Sequence, residues 1–265
     1  MVINRVFLQT TNQVFLDAYI ADPMKAFTRK AILVIPGGAY RSVCADREGE
    51  PIAMAFLPYG YNAFVLHYTV DGIHGFPTQV IETALAIKHL KDHSEEYNID
   101  PDSIFVVGFS AGGHLAACSG TMWKLDAVQE ALCMPYDYIK PKGVMLIYPV
   151  ISSQFHLISF KHLLTSQDPT PEQLALVSVE NHVDKDSAPA FILHTANDEC
   201  VDVHNALTIA AAYSNAGVPF ELHIFPNAPH GIALANSITS WGNPYWENTA
   251  IAEWIRMATT WANTL

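Results

Sequence analysis

Short apolar runs alternate along this chain with longer segments in which apolar residues recur at helical spacing. The short runs are rich in β-branched and aromatic residues and are apolar at nearly every position, which predicts strands covered on both faces. The predicted strands are 31–35, 62–70, 103–108, 143–150, 189–196 and 220–225. The longer segments, 49–57, 78–93, 114–123, 203–215 and 247–262, predict helices.

This alternation indicates βαβ units and a mostly parallel sheet with helices on both faces. The opening stretch "NRVFLQTTNQVFLDAYI" holds two strand-like runs around "TTNQ", which predicts an N-terminal antiparallel hairpin. Two segments, 125–142 and 151–187, interrupt the alternation. The second is too long for a bare connection, so we expect a small cap or lid there. The predicted fold class is therefore α/β, in one domain that covers 1–265 and carries 151–187 as a cap insertion.

Composition narrows the possible partners. Half of the 265 residues are hydrophobic and the formal net charge is −12, with no Lys/Arg cluster. Nucleic-acid binding needs a cationic face, so we expect no nucleic-acid partner. No apolar stretch approaches the length of a membrane span, and the first residues lack the pattern of a signal peptide. Four scattered cysteines show no metal-ligand spacing. We therefore expect a cytoplasmic protein without a metal site.

The clearest chemical signal is "SIFVVGFSAGGHLAA". In it, a predicted strand ends in Gly108-Phe109-Ser110-Ala111-Gly112, and a helical pattern follows at once. G-x-S-x-G is a weak motif alone, but between a buried strand and a helix it predicts a nucleophile elbow. The sharp turn needs small residues two positions before and after Ser110, and Gly108 and Gly112 satisfy that need. The alternative is a glycine-rich turn with an idle serine.

A nucleophilic serine needs a general base, and the base needs an orienting acid. Most of the twelve histidines lie in predicted strands or helices, whereas His230 lies in the loop "NAPHGIAL" after the last predicted strand. His230 is therefore the predicted base, and His114 is predicted to be structural or to support the site. For the acid, "TANDECVDV" offers Asp198 just past a strand, with Asp202 as its main rival and Glu199 as a solvated neighbour.

Together these motifs resemble the α/β-hydrolases of the acetyl esterase/lipase group, which includes hormone-sensitive-lipase-like and feruloyl- and acetylxylan-esterase-like carboxylesterases. The resemblance rests on "IPGGAYRSV", "REGEPIA", "GFSAGGHLAA", "IYPVIS", "HTANDECV" and "PHGIAL", in that order along the chain. It implies the α/β-hydrolase fold, a Ser110-Asp198-His230 triad and no metal or organic cofactor. The implied reaction is hydrolysis of short-chain esters, acetyl esters on sugars or xylan oligomers among them.

The resemblance also implies an oxyanion hole. Members of the group usually carry His-Gly-Gly at the oxyanion loop, and here Pro36 stands in place of the histidine. Because backbone N–H groups hold the oxyanion, the implied donors are still present at Gly38, Ala39 and Ala111. The replacement leaves open how the loop is braced.

Several residues near the predicted site have two interpretations each. Tyr40 and Arg41, which follow the paired glycines, are candidates for substrate binding or for loop bracing. Arg47 and Glu48 are more readily structural. In the predicted cap segment, Phe155 and His156 either line the site or lie on a solvated face.

Other functions and partners remain open at this point. An amidase or peptidase, such as an arylformamidase, would use the same triad, and a non-catalytic binding protein would share the fold. Non-catalytic relatives typically lose one of the three triad residues, and all three candidates are present here. The expected partner is a small-molecule ester. Trp241, Tyr245 and Trp246 suggest a homodimer patch, core packing or a pocket wall.

Overall fold

The computed structural model describes residues 1–8, 14–135 and 137–265, and within them the strands form one eight-stranded sheet. Its strand order is β1-β2-β4-β3-β5-β6-β7-β8. β1 pairs antiparallel with β2, β2 pairs antiparallel with β4, and the other neighbouring pairs are parallel. The bounds are β1 Val2–Phe7, β2 Phe15–Ile20, β3 Arg29–Ile35, β4 Tyr61–His67, β5 Ile99–Phe109, β6 Gly143–Ile147, β7 Ala190–Thr195 and β8 Phe220–Phe225.

The predicted α/β class and the antiparallel hairpin strands are confirmed, while the predicted turn "TTNQ" lies outside the described residues. Helices connect the parallel strands, as the alternating pattern indicates. They are α1 Ala45–Glu48, α2 Glu50–Phe56, α3 Thr78–Asp92, α4 Ala111–Thr121, α5 Asp126–Leu132, α6 Ile158–Leu163, α7 Pro171–Val177, α8 His204–Ala216 and α9 Trp254–Ala262.

Two strands end earlier than the apolar pattern predicts. β4 stops at His67, because the chain then leaves the sheet and the Thr69 N–H donates to the buried carboxylate of Glu82 at 2.9 Å. β6 stops at Ile147, because Tyr148 has φ 38°, a left-handed conformation that no strand adopts. Apolar character therefore continues past the point at which the backbone changes direction.

The sheet is covered on both faces, as the apolar strands predict. Along β3, Ala31, Leu33 and Ile35 belong to one hydrophobic cluster, and the alternate residues Ile32 and Val34 belong to another. All five side chains are fully buried. Because successive strand residues point to opposite faces, these two clusters are the two layers of the core.

The two irregular segments contain short helices. The segment 125–142 holds α5, and the segment 151–187 holds α6, α7 and a 3₁₀ turn at Val179–His182. Phe160, Leu163 and Val177 from the second segment join the same hydrophobic cluster as the sheet. The predicted helix 247–262 is shorter than expected: α9 begins at Trp254, after a 3₁₀ turn. No helix in the described ranges is both long and apolar enough to cross a bilayer.

Candidate active site

Ser110 lies between β5 and α4, at the carboxyl edge of the parallel strands. Its backbone has φ 53° and ψ −118°, which a residue other than glycine rarely adopts. A Cβ on Gly108 would lie 2.1 Å from the Gly112 carbonyl oxygen, and a Cβ on Gly112 would lie 2.1 Å from the Ile35 carbonyl oxygen. Only glycine therefore fits at these two positions, and the strained turn presents Ser110 at the edge of the sheet.

Three side chains meet through two hydrogen bonds at this edge. Ser110 Oγ lies 2.9 Å from His230 Nε2, and His230 Nδ1 lies 2.7 Å from Asp198 Oδ2. The Asp198 side chain is fully buried, and its Oδ1 accepts the N–H groups of Cys200 and Val201, each at 2.9 Å. The acid is therefore held by the backbone of its own turn and points one oxygen at the imidazole.

The structure brings Asp198, and not its rivals, to His230. Asp202 accepts the His204 N–H at 2.8 Å and its side chain is half-exposed, as expected for a residue at the start of α8. Glu199 is exposed on the surface of the turn. Only Asp198 among these three carboxylates contacts the predicted base.

Electrostatics keep the Asp198 carboxylate charged. Burial by itself would raise its pKa, but hydrogen bonding with His194 and His230 outweighs burial and holds the pKa well below its usual range. His194 Nε2 lies 3.5 Å from Asp198 Oδ2 and 2.9 Å from the Val201 carbonyl oxygen. With an ionised carboxylate facing Nδ1, the proton of a neutral His230 belongs on Nδ1. Nε2 is then free to accept the proton of Ser110.

The loop after β3 approaches Ser110 through its glycines. A Cβ on Gly37 would lie 3.0 Å from Ser110 Cβ and 2.8 Å from the Phe109 carbonyl oxygen. Gly38 has φ 129°, and a Cβ there would lie 2.1 Å from the Ser42 carbonyl oxygen. The paired glycines thus allow close contact between this loop and the elbow.

The predicted oxyanion donors lie on either side of Ser110. Gly38 and Ala39 follow β3, and Ala111 is the first residue of α4. Ala39 has φ 55°, so the loop turns sharply at this residue. Within the described part of the chain, the N–H groups of these three residues donate no hydrogen bond to the protein.

Pro36 is braced by a tyrosine. The Tyr68 hydroxyl donates to the Pro36 carbonyl oxygen at 2.9 Å, and both groups are buried. Tyr68 comes directly after the end of β4, which is the strand next to β3. A long-range hydrogen bond to the backbone therefore supports the loop at the position where a histidine was expected.

Tyr40 and His114 support the loop after β3 through a chain of buried hydrogen bonds. The Tyr40 hydroxyl lies 2.6 Å from His114 Nδ1, and His114 Nε2 lies 2.7 Å from the Val177 carbonyl oxygen. Since a carbonyl can only accept, Nε2 carries the proton and Nδ1 accepts from the tyrosine. Burial lowers the pKa of His114 to about 4, so the ring is neutral. Of the two interpretations of Tyr40, its burial supports loop bracing, and His114, predicted to be structural or to support the site, contacts the loop through Tyr40.

The chain matches two protein families over the residues of this candidate site. Residues 16–213 match BD-FAE, and residues 174–265 match the dienelactone hydrolase family. The chain belongs to the BD-FAE family. The elbow, the loop after β3 and Asp198 lie within the matched BD-FAE residues, and Asp198 and His230 lie within the dienelactone hydrolase match.

Relatives of this BD-FAE protein include a xylanase and an acetylxylan esterase. Endo-1,4-beta-xylanase B of Butyrivibrio fibrisolvens is 37% identical over 78% of this chain and 33% of the relative. Acetylxylan esterase of Xylanibacter ruminicola is 29% identical over 77% of this chain and 41% of the relative. The chain thus spans less than half the length of either protein.

Solved structures show the same fold. The acetyl ester-xyloside bifunctional hydrolase from Caldicellulosiruptor lactoaceticus has a TM-score of 0.81 at 34% identity, covering 96% of this chain and 89% of that chain. The BD-FAE chain therefore has the α/β-hydrolase fold that the sequence motifs imply.

Glu48 connects the two loops that flank Ser110 in this BD-FAE protein. Its buried carboxylate accepts the Gly37 N–H at 2.8 Å through Oε2 and the Tyr148 hydroxyl at 2.9 Å through Oε1. The Tyr148 oxygen in turn accepts the Ala233 N–H at 3.1 Å, and its ring meets the His230 ring edge-on at 5.0 Å. One carboxylate therefore supports both the loop after β3 and the loop that carries the histidine.

A second histidine, from the segment 151–187, reaches the loop after β3. His162 on α6 places Nδ1 2.8 Å from the Ala39 carbonyl oxygen, so the ring nitrogen donates to it. A cavity of about 360 Å³ opens beside this contact and is lined by Arg41 and Lys161, among others. Neither His162 nor Tyr148 was predicted, because the sequence carries no local signal for a contact between distant loops.

The remaining predicted residues lie around these loops. Arg41 is exposed at the cavity, and substrate binding by this residue stays a prediction. His156 is half-buried, with Nδ1 3.3 Å from the Cys200 carbonyl oxygen and Nε2 2.9 Å from Ser159 Oγ. Its role in binding also stays a prediction. Phe155 stacks on His204 with ring centroids 5.1 Å apart.

Proposed function

We propose that this protein is a serine carboxylic ester hydrolase that removes short acyl groups, acetyl above all, from the hydroxyl groups of sugars such as xylan oligomers. The observation that carries the proposal is the continuous hydrogen-bonded series from Ser110 through His230 to Asp198 at a strained elbow. The acetyl and sugar parts are supported by two relatives, an acetylxylan esterase and an acetyl ester-xyloside bifunctional hydrolase.

The first half of the proposed reaction acylates the serine. His230 Nε2 takes the Ser110 proton while Oγ attacks the ester carbonyl carbon. The carbonyl oxygen gains negative charge, which the N–H groups of Gly38, Ala39 and Ala111 stabilise. His230 then gives its proton to the leaving sugar oxygen, and the C–O bond breaks. Ser110 is left as an acetyl ester.

The second half returns the enzyme to its starting state. A water molecule gives its proton to His230 Nε2 and attacks the acyl carbon, and the same N–H groups hold the second oxyanion. Collapse of this intermediate releases acetic acid and returns the proton to Ser110 Oγ. In both halves, the charged Asp198 stabilises the imidazolium form of His230 and keeps its Nε2 directed at the serine.

The serine is tested by Ser110→Ala, with the exposed Ser214→Ala on α8 as the matched control. Ser110→Ala should lower kcat on p-nitrophenyl acetate by at least about 10⁴-fold without unfolding the protein. It should also abolish labelling by a fluorophosphonate probe. Ser214→Ala should behave like the parent protein in both assays. Full activity in Ser110→Ala would overturn the proposed mechanism.

The acyl specificity needs a separate measurement. We expect p-nitrophenyl acetate to be hydrolysed with a higher kcat/KM than the butyrate or octanoate, and acetylated xylo-oligosaccharides to release acetate. Faster hydrolysis of the octanoate would contradict the short-acyl part of the proposal while leaving the serine mechanism intact.

A further inference from the structure

Three aromatic side chains form a surface cluster in the segment after His230. This cluster, which we name the aromatic platform, consists of Trp241, Tyr245 and Trp246. Trp241 is 64% exposed and Tyr245 is 67% exposed, whereas Trp246 is half-buried between them. The ring centroids of Trp241 and Trp246 lie 5.9 Å apart, and those of Tyr245 and Trp246 lie 6.3 Å apart. Core packing is therefore excluded as the role of the two exposed rings.

Arg47 holds the two indole rings of the platform in place. The guanidinium carbon of Arg47 lies 4.7 Å from the Trp241 ring centroid and 5.3 Å from that of Trp246. The Arg47 side chain is only 12% exposed and lies 3.5 Å from the buried carboxylate of Glu48. Trp241 itself has φ 53°, a strained conformation of the kind that is concentrated at functional sites. The cation positions the indole rings before any ligand arrives.

Arg47 also connects the platform to the candidate base. Gly231, the neighbour of His230, has φ 75°, and a Cβ there would lie 2.8 Å from Arg47 Nη2. Trp241 is thus separated from the histidine loop by one side chain. Arg47 therefore places the platform beside the loop that carries His230.

The chemistry of the platform fits a carbohydrate. A pyranose ring has a face of C–H groups that stacks on an aromatic ring and an edge of hydroxyl groups that needs polar partners. Exposed polar residues lie next to the rings in the sequence, among them Asn243 and Glu247. Each partner buries roughly 800 Å² of surface in a stable protein interface, and three aromatic rings cover a much smaller area. A sugar therefore fits this surface better than a second copy of the chain.

We propose that the aromatic platform is a binding subsite for a β-linked pyranose chain, and that it holds the saccharide that carries the ester at Ser110. The part that concerns the ester rests on the proposed function. The binding of an unesterified saccharide does not, because it needs no reaction at Ser110. Stacking at the platform keeps the chain in place while its acetyl group is transferred.

The direct test is a binding measurement with β-1,4-xylotetraose, using Trp241→Ala and calorimetry. We expect Trp241→Ala to raise the Kd for xylotetraose at least about tenfold, which corresponds to about 1.4 kcal/mol of binding free energy. Trp241→Phe should recover part of the affinity, because it keeps an aromatic face. Tyr59→Ala is the matched control. Tyr59 is 47% exposed and precedes β4, at the amino ends of the parallel strands, whereas Ser110 lies at their carboxyl ends. This variant should leave the Kd unchanged.

A kinetic measurement checks the same proposal. In Trp241→Ala, the ratio of kcat/KM for acetylated xylotetraose to kcat/KM for methyl acetate should fall about tenfold, because methyl acetate has no ring to stack. The ratio should be unchanged in Tyr59→Ala.

The outcomes separate the two proposals. Equal xylotetraose affinity in the parent protein and Trp241→Ala, or no affinity in either, would overturn the platform proposal. So would a dimer in solution that Trp241→Ala dissociates, since the rings would then be a contact between copies. Ester hydrolysis that survives Ser110→Ala would refute the serine mechanism, while the calorimetric result would still decide the platform.

Discussion

Replacing Glu48 with glutamine tests whether one buried carboxylate supports both sides of the candidate site. The substitution keeps the volume of the side chain and removes its charge. In the native protein, one carboxylate oxygen accepts the Gly37 N–H at 2.8 Å and the other accepts the Tyr148 hydroxyl at 2.9 Å. Glutamine offers a single acceptor oxygen, so its amide nitrogen faces one of these two donors.

The expected loss follows from these two contacts. A hydrogen bond to a charged group contributes about 1.5–3 kcal/mol, so losing one of the two costs about 2 kcal/mol. For a chain of this size each kcal/mol lowers the midpoint of thermal unfolding by about 2–4 °C, which gives a decrease of about 4–8 °C. We also expect kcat to fall at least about tenfold, because the Gly37 peptide and the His230 loop lose their common support.

The assay compares Glu48→Gln with Glu50→Gln, whose exposed carboxylate lies at the start of α2. Thermal unfolding followed by circular dichroism gives the midpoint, and initial rates on p-nitrophenyl acetate give kcat and KM. The reasoning predicts losses in both midpoint and kcat for Glu48→Gln alone. If the two variants had the same midpoint and the same kcat, the bridging role of Glu48 would be refuted.

Two further predictions concern histidines outside the proposed triad. His162→Ala should lower kcat about fivefold with little change in KM, because the hydrogen bond to the Ala39 carbonyl contributes about 1 kcal/mol to holding the loop; an unchanged kcat in initial-rate measurements would contradict this. Burial lowers the pKa of His114 to about 4, whereas an unfolded histidine titrates near 6.5. The unfolded state therefore binds the proton first, so this contribution to stability is complete above pH 6.5 and is lost as the pH falls toward 4. Urea unfolding between pH 7 and 4.5 should show a smaller loss in His114→Gln than in the parent protein, and equal slopes would count against the neutral buried ring.

The proximity of Ser110, Asp198 and His230 could be predicted from the sequence for a simple reason. Each residue follows an apolar run, and the carboxyl ends of parallel strands meet at one edge of the sheet. The strand-to-helix context then distinguished Ser110 from other serines, and its place in the loop after the last predicted strand distinguished His230 from the histidines in predicted strands and helices. Local pattern did not separate Asp198 from Asp202, and the hydrogen bond between Asp198 and His230 made that choice.

The supporting residues could not be predicted in the same way. The Glu48–Tyr148 hydrogen bond joins residues 100 positions apart, and the His162–Ala39 contact joins residues 123 positions apart. Neither pair belongs to a strand ladder or a helix face, so no periodicity connects them. The bracing of Pro36 by Tyr68 has the same character. Such contacts depend on where loops and short helices settle after the sheet has formed.

The predicted element ends failed where backbone conformation overrides side-chain character. Tyr148 continues the apolar run of β6, yet its left-handed φ ends the strand and turns the hydroxyl toward Glu48. The C-terminal helix was predicted from 247, but the first regular α-turn begins at Trp254. Apolar spacing marks which side chains are buried and does not mark where a strand or helix ends.

The placement of Ser110 and His162 in different parts of the fold has a consequence for how activity is lost. Ser110 directly follows β5, a central strand with neighbours on both sides, whereas His162 lies on α6, a helix of six residues. Local opening requires far less free energy in short peripheral elements than in central strands. We therefore expect heat or mild denaturant to release the loop after β3 from His162 before it disturbs Ser110. We therefore expect activity to be lost before global unfolding.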